Sequence, residues 1–382
     1  MHRLLRLVIV VLALVSSASL SAAVLPEERA DALYHAYDGG GVEISGPSVL
    51  VRKSIGQSMS VYAKYYVDNV TSASIDVELY ASPYTEKRNE FRAGFDYLVD
   101  KATLSVGYGN SEETDYTADT AFFGISQDFF GDLSTLSMSF SVGSDEVRKT
   151  GDPTFAEPID RHAYRVNLSQ ILTKSLIMGL SWELITDKGF LNNPYRQVRY
   201  LDDNADIGYS FQDEVYPGTR SSDAYALRAK YFLPYRASLH AEYRVFDDNW
   251  GIHADNYELG YTHPLYESWL LDLKFRHYNQ TGATFYSDLF PRRNAQDYLA
   301  RDKELSTFSS TTVGVGVSYE FAKNGWGFID RGSVNVLYDL MQFDYKDFRN
   351  ALVSKEGLAE PGEEPRYSFD ANVLQFFISI WY

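Results

Sequence analysis

The 382-residue chain contains no cysteine. That excludes a disulfide framework, a thiolate metal centre and a cysteine nucleophile, and leaves nothing to mispair in an oxidising compartment. Long apolar runs are also missing. Beyond residue 23 nothing approaches the ~18 consecutive apolar residues that mark a membrane helix. Basic residues are scarce, with 35 Lys and Arg against 52 Asp and Glu and a formal net charge of −17. This balance argues against nucleic acid as a partner, since phosphate binding needs concentrated Lys and Arg. There is no Gly-rich phosphate loop and no nucleophile elbow.

What the chain does have is aromatic residues: 30 Tyr and 23 Phe, at a mean hydropathy of only −0.28. Aromatic enrichment without apolar blocks is what the girdles of a membrane β-barrel produce. The first 23 residues have the layout of a secretory signal. Arg3 and Arg6 supply the positive segment and Leu4 to Val15 the apolar one. Ser21 and Ala23 fit the positions before a cut between Ala23 and Val24. The apolar run is too short for a bilayer span of ~20 residues. The expected organisation is a signal peptide over 1–23 and one barrel over 24–382, with the charge moving from −17 to −19 once Arg3 and Arg6 are removed.

Alternation dominates the mature sequence. Tyr164, Val166, Leu168 and Leu172 oppose Arg165, Asn167 and Ser169. Tyr225, Leu227, Ala229, Tyr231 and Leu233 oppose Arg228 and Lys230. Leu239, Ala241, Tyr243 and Val245 oppose Ser238, His240, Glu242 and Arg244. Val313, Val315, Val317, Tyr319 and Phe321 oppose Gly314, Gly316, Ser318 and Glu320. A soluble sandwich also alternates, but a small-and-charged second face suits a polar lumen, and the strands outnumber those of one sandwich.

Connections alternate in length. Short ones fall near Gly56, Asp100, Gly131, Lys174, Pro234 and Glu267, with a longer one over 324–330. Long ones are expected over roughly 69–89, 111–118, 146–161, 187–221, 281–305 and 346–367, and a tight one near Asp248–Gly251 falls in the same phase. Parity then counts the strands. Fourteen follow Ser58 and the last runs toward the periplasm. Val42–Ser54 therefore needs an outward partner, which Ala30–Asp38 can supply through the Asp38–Gly41 tip. The expected fold is an all-β, single transmembrane antiparallel β-barrel of about 16 strands, with 14 as the alternative.

The last strand carries the most specific local signal. Leu374, Phe376, Ile378, Ile380 and Tyr382 occupy alternate positions and end on an aromatic residue. This looks like the signal by which barrel-assembly machinery recognises its substrates. Outer-membrane lipid, lipopolysaccharide and that machinery are the expected partners, and the outer membrane of a Gram-negative bacterium the expected location.

Several strings resemble an uncharacterised bacterial family, domain of unknown function 3570. They include Tyr37–Glu43, Gly46–Ser48, Val51–Gly56, Tyr65–Asp68 and Gly124–Leu133. Others are Gly151–Phe155, Asp187–Leu201, Phe285–Arg292 and Ala300–Ser310. The resemblance implies a barrel-like outer-membrane protein without assigned activity. It also implies a genetic setting beside small lipoproteins, thioredoxin-like proteins and flavin transferases, hence a small lipoprotein partner and an extracytoplasmic redox or maturation context.

The side chains that could carry function form a charge ladder on the predicted inner face. Arg228, Lys230, His240, Glu242 and Arg244 lie on adjacent strands, and Asp272, Lys274 and Arg276 follow two strands later. The phase is forced, because Arg or Lys on the lipid side at the bilayer midplane costs ~2–4 kcal/mol. The ladder reads either as an interior salt-bridge network or as the lining of an anion-selecting pore. Asp202–Asp206 and Glu112–Asp115 are acidic loop tips without the glycine and terminal Glu of a calcium loop, and read as solvated turns. No metal, cofactor or catalytic residue is assigned. A lipid hydrolase would need Ser, His and Asn or Asp together at the lipid-facing rim; His277 has the outward phase, but nothing orders the rest. A porin-like diffusion channel for small solutes is the expected function. A barrel that scaffolds or exports a periplasmic partner is the alternative.

Overall fold

A computed structural model describes residues 24–80 and 83–382. The expected signal peptide, residues 1–23, lies outside them. The strands are β1 (Arg29–Gly39), β2 (Val42–Ile55), β3 (Met59–Ser72), β4 (Tyr84–Val99), β5 (Ala102–Glu112) and β6 (Tyr116–Phe129). They continue as β7 (Ser134–Lys149), β8 (Asp152–Thr173), β9 (Leu176–Gly189), β10 (Gln197–Leu201), β11 (Tyr209–Asp213) and β12 (Thr219–Phe232). The rest are β13 (Ser238–Asp248), β14 (His253–Leu265), β15 (Trp269–Gln280), β16 (Phe308–Phe321), β17 (Arg331–Arg349) and β18 (Arg366–Trp381). Two short helices, α1 (Ile75–Tyr80) and α2 (Leu352–Lys355), sit in loops.

Sixteen of these strands close into one antiparallel barrel, while β10 and β11 form a separate hairpin inside a loop. Each barrel strand pairs with its sequence neighbours, and β1 pairs with β18 from Arg29↔Trp381 to Gly39↔Ala371. The N-terminal hairpin is therefore in the wall, and the fourteen-strand alternative falls. No helix among the described residues is long and apolar enough to cross a membrane; strands do the crossing, and closure satisfies their backbone groups.

The outward face is apolar and exposed to its surroundings. Val106, Leu180, Leu259 and Val313 are each more than half exposed. Aromatic residues gather at two levels of that face. Tyr65 stands opposite Phe91 and Tyr243 opposite Tyr257 toward the long-loop end. Trp269 stands opposite Tyr319 at the short-turn end, ring centroids 4.8 Å apart. These are the two girdles that the composition implied.

Two boundaries differ from expectation, and in the first the 111–118 segment narrows to a three-residue turn between Glu112 and Tyr116. In the second, the 146–161 segment is not a long loop: β7 runs to Lys149 and β8 starts at Asp152, leaving a two-residue turn. Past the membrane both faces of this hairpin are polar, as Asp145, Glu146, Arg148 and Lys149 show. Alternation vanishes there although the ladder of hydrogen bonds continues.

Candidate functional site

All eight ladder residues lie on the strand face opposite the exposed apolar one, and the strand register decides whom each meets. Arg228 is opposite Glu242, and the two form an ion pair. His240 Nε2 lies 3.4 Å from Glu258 Oε1. Asp272 accepts a hydrogen bond from Thr262 at 2.6 Å. Lys274 Nζ reaches Asp339 Oδ2 at 2.6 Å, two strands away. That reach has a cause: the row His240, Gly260, Lys274, Gly314, Asp339 crosses five strands with glycines at alternate places. A Cβ on Gly314 would stand 2.1 Å from the Asp339 carboxylate, and one on Gly260 would stand 1.7 Å from the His240 ring. The glycines leave room for the long side chains to lie along the wall.

The remaining cations are less well matched. Arg244 has its nearest carboxylate, Glu183, at 3.7 Å. Among the described residues Arg276 and Lys230 have no carboxylate within ion-pair range. Arg276 lies 6.0 Å from the Tyr278 ring centre and Lys230 5.5 Å from that of Phe232. A cavity of about 380 Å³ reaches Arg228, Lys230, His240, Glu242 and Glu258. A second, of about 470 Å³, lies toward the long-loop end and is lined by Arg161, Arg220, Arg244 and Arg276 with Phe246, Trp250 and Tyr278.

Loops roof this chamber. The hydrophobic clusters of the protein lie in and around them: Trp250 with Phe285 and Leu305, Phe348 with Ile75 and Tyr345, and Val198 with Phe290 and Leu299. A buried charge network ties the loops together. Arg199, 0% exposed, holds Asp288 Oδ2 at 2.5 Å and forks onto both oxygens of Glu364. Arg301 binds Asp76 at 2.9 Å and Asp288 at 3.0 Å, its guanidinium 4.4 Å over the Phe348 ring. Arg196 meets Asp302 at 2.5 Å and approaches Asp76 at 3.7 Å. Asp76 belongs to the β3–β4 loop and Arg196 to the β9–β12 loop, with six of the sixteen wall strands between them. Loops from nearly opposite sides of the ring therefore meet across the mouth.

Two carboxylates in this roof are shifted in opposite directions. Burial, reinforced by the charge of Asp302, pushes Glu214 up to about 7, even though Arg196 and the amide of Arg301 pull the other way. Burial also penalises Glu364, but the hydrogen bonds from Arg199 and Ser354 outweigh it and hold the group down at about 2.

Elsewhere, Asp202 accepts hydrogen bonds from the Asn204 amide and the Ser210 hydroxyl, at 3.0 and 2.7 Å, and so caps its own turn. Glu113 and Asp115 gather with Glu86, ligand atoms within 4.8 Å of one another, at the outer tip of β5–β6. His277 Nδ1 lies 3.0 Å from Thr311 Oγ1 on the lipid-facing side, with no third group orienting it among the described residues. In the last strand Leu374 and Phe376 are exposed with Ile378 and Ile380 in the same phase, while Tyr382 reaches past β1 and donates to the Arg52 carbonyl at 3.0 Å.

The roof was not read from the sequence. Its signal was nevertheless there: Arg196 and Arg199, Asp288, and Arg301 and Asp302 all lie in the strings that carry the family resemblance, and those strings fall in loops.

Among solved structures the chain is similar to a bacterial polysaccharide outer-membrane secretin, at 9% identity and a TM-score of 0.51, over 94% of this chain and 100% of that one. It also matches the outer membrane protein opdK of Pseudomonas aeruginosa, at 9% identity and a TM-score of 0.43, over 93% and 99%. A third match is the siderophore receptor PirA of Pseudomonas aeruginosa, at 10% and 0.43, over 94% and 64%. At such identities the likeness is one of fold: an outer-membrane β-barrel. No curated protein matches. The model of the family described as protein of unknown function DUF3570 matches residues 76–165 and 158–328. With most of its wall and three of its roofing loops inside that match, the chain belongs to the DUF3570 family.

Proposed function

We propose that this barrel is a porin-like channel for small solutes in the outer membrane of a Gram-negative bacterium, gated at its long-loop mouth. The observation that carries the reading is the chamber of about 470 Å³ on the inner face, lined by charged and aromatic side chains under loops that meet across the ring. A wall of sixteen strands is wide enough to leave an aqueous path. The loops are joined to one another by side-chain ion pairs and by isolated backbone bridges, Tyr200 with Phe290 and Val215 with Leu299, and not by the continuous ladder of the wall, so they are the part that would move. The test is conductance in planar bilayers of the wild type and of a double variant, Arg199→Met with Arg301→Met. The wild type should conduct in small, infrequent steps and the variant in larger, more frequent ones. Two folded proteins that pass no current would overturn the reading.

The meeting of loops over the mouth also favours a second reading, a barrel that scaffolds or exports a periplasmic or lipoprotein partner. It predicts silence in both bilayer experiments and a protein that copurifies in fixed ratio. We assign no catalytic role; a lipid-hydrolysis assay on the purified barrel should give only background, and turnover lost in His277→Ala would reverse that assignment.

A further inference from the structure

The chamber beneath the roof is lined by more positive charge than its own carboxylates cancel. Four arginines line it against three carboxylates: Asp187 is taken by Arg161 at 2.7 Å, Asp302 by Arg196 at 2.5 Å, and Glu304 has Lys303 at 3.9 Å. Arg220 is likewise satisfied, by Asp248 at 2.6 Å. Arg244 and Arg276 are left, one with a carboxylate no nearer than 3.7 Å and the other with none in range among the described residues. Their positions are fixed by neighbouring strands. Arg244, Asn256 and Tyr278 form one row across β13, β14 and β15, and Arg276 lies one step down the same face of β15. Asn256 is 6% exposed, and its side chain has no hydrogen-bond partner among the described residues.

On this one wall Arg276 and the Asn256 carboxamide have no acceptor among the described residues, and Arg244 has only the Glu183 carboxylate at 3.7 Å, beyond hydrogen-bond length. A guanidinium fork matches a carboxylate in shape and charge. Beside them stand the rings of Phe246, Trp250 and Tyr278, which offer a flat apolar surface. A cavity of about 470 Å³ falls within the range of small-molecule sites, roughly 300–1,000 Å³.

We propose that the chamber binds a small aromatic or ring-bearing carboxylate, its carboxylate on Arg244, Arg276 and Asn256 and its ring against the aromatic side. This rests on the channel reading for its biological sense but not for its test, since binding can be measured without current. Calorimetric titration of the detergent-solubilised full-length barrel with benzoate should give one saturable site. Acetate, which has the charge but no ring, and benzyl alcohol, which has the ring but no charge, should each bind about tenfold more weakly or worse.

Arg276→Gln should weaken benzoate binding by about tenfold. Arg92→Gln removes a guanidinium from the far wall, where Arg92 pairs with Glu90 at 3.2 Å, and should leave binding unchanged. Heat-modifiable gel migration checks that each variant is folded. Equal losses in the two variants would mean a diffuse field and not a site, and would overturn the proposal. So would inorganic phosphate binding tighter than benzoate, or no heat from benzoate with folded wild type. Benzoate binding by a barrel that never conducts would sustain this site while removing the channel.

Discussion

At the scale of single residues, the roof and the ladder respond to mutation by different rules. A buried ion pair broken from one side strands its partner, at a cost of about 3–5 kcal/mol. Glu364, 0% exposed between Arg199 and Ser354, is the case to test. Glu364→Ala should leave the heat-modifiable barrel intact but speed amide exchange across residues 197–213; unchanged exchange would mean the pair is not what holds the loop. The pH dependence has two limbs. Glu364, held at about 2 against an ordinary 4.5, stabilises the roof fully above pH 4.5 and loses that contribution as pH falls toward 2. Glu214, raised from 4.5 to about 7, does the reverse: its contribution is complete below 4.5 and is lost as pH rises through 7. Roof protection, corrected for intrinsic exchange, should therefore peak near pH 4.5 to 5 and decline toward pH 8. Glu214→Gln should flatten the upper limb; a decline of the same size in that variant would assign it elsewhere. On the ladder, Arg276→Gln and Lys230→Gln remove cations without a carboxylate partner, so they should shift reversal potential toward cations at little cost in stability. Lys274→Gln instead strands Asp339, and should lower the unfolding temperature.

At the scale of elements, the wall was legible and the roof was not. Strands such as β12 and β16 announce themselves because lipid enforces one face and water the other, so Tyr225 to Leu233 and Val313 to Phe321 keep a strict phase. Register was hidden, since alternation says which face a residue occupies but not whom it meets. Arg228 and Glu242 could be placed on neighbouring strands, whereas the Lys274–Asp339 pair depends on the empty space at Gly314 between them. The loops obey neither period, and Arg199 meets Glu364 across 165 positions of sequence. The last strand offers a test at this scale. Phe376→Ser with Tyr382→Ser removes a lipid-facing ring and the hydroxyl that holds the Arg52 carbonyl, and should impair assembly far more than Ser379→Ala. Normal heat-modifiable migration of the double variant would refute an assembly role.

For the whole molecule, orientation follows from which end bears the long loops. Single cysteines at Asp38, Asn204 and Glu356 lie at that end in exposed positions, and Gln57, Lys174 and Pro234 at the other. An impermeant maleimide should label the first set in whole cells and the second only after the outer membrane is opened; the opposite pattern would invert the barrel. Native cysteine is absent, so background is low. The pairing of β1 with β18 has a further effect, on the order of events. Every other junction joins strands that follow one another within the wall, but this one joins its first strand to its last. Both edges stay open until the final strand arrives, each a row of unmet amides and carbonyls. The seam is thus the slowest contact to find, because it spans the greatest length of chain. A circular permutant opened between Lys174 and Ser175, with β18 linked to β1, would make the old seam a local hairpin and pass the role of last junction to β8 and β9.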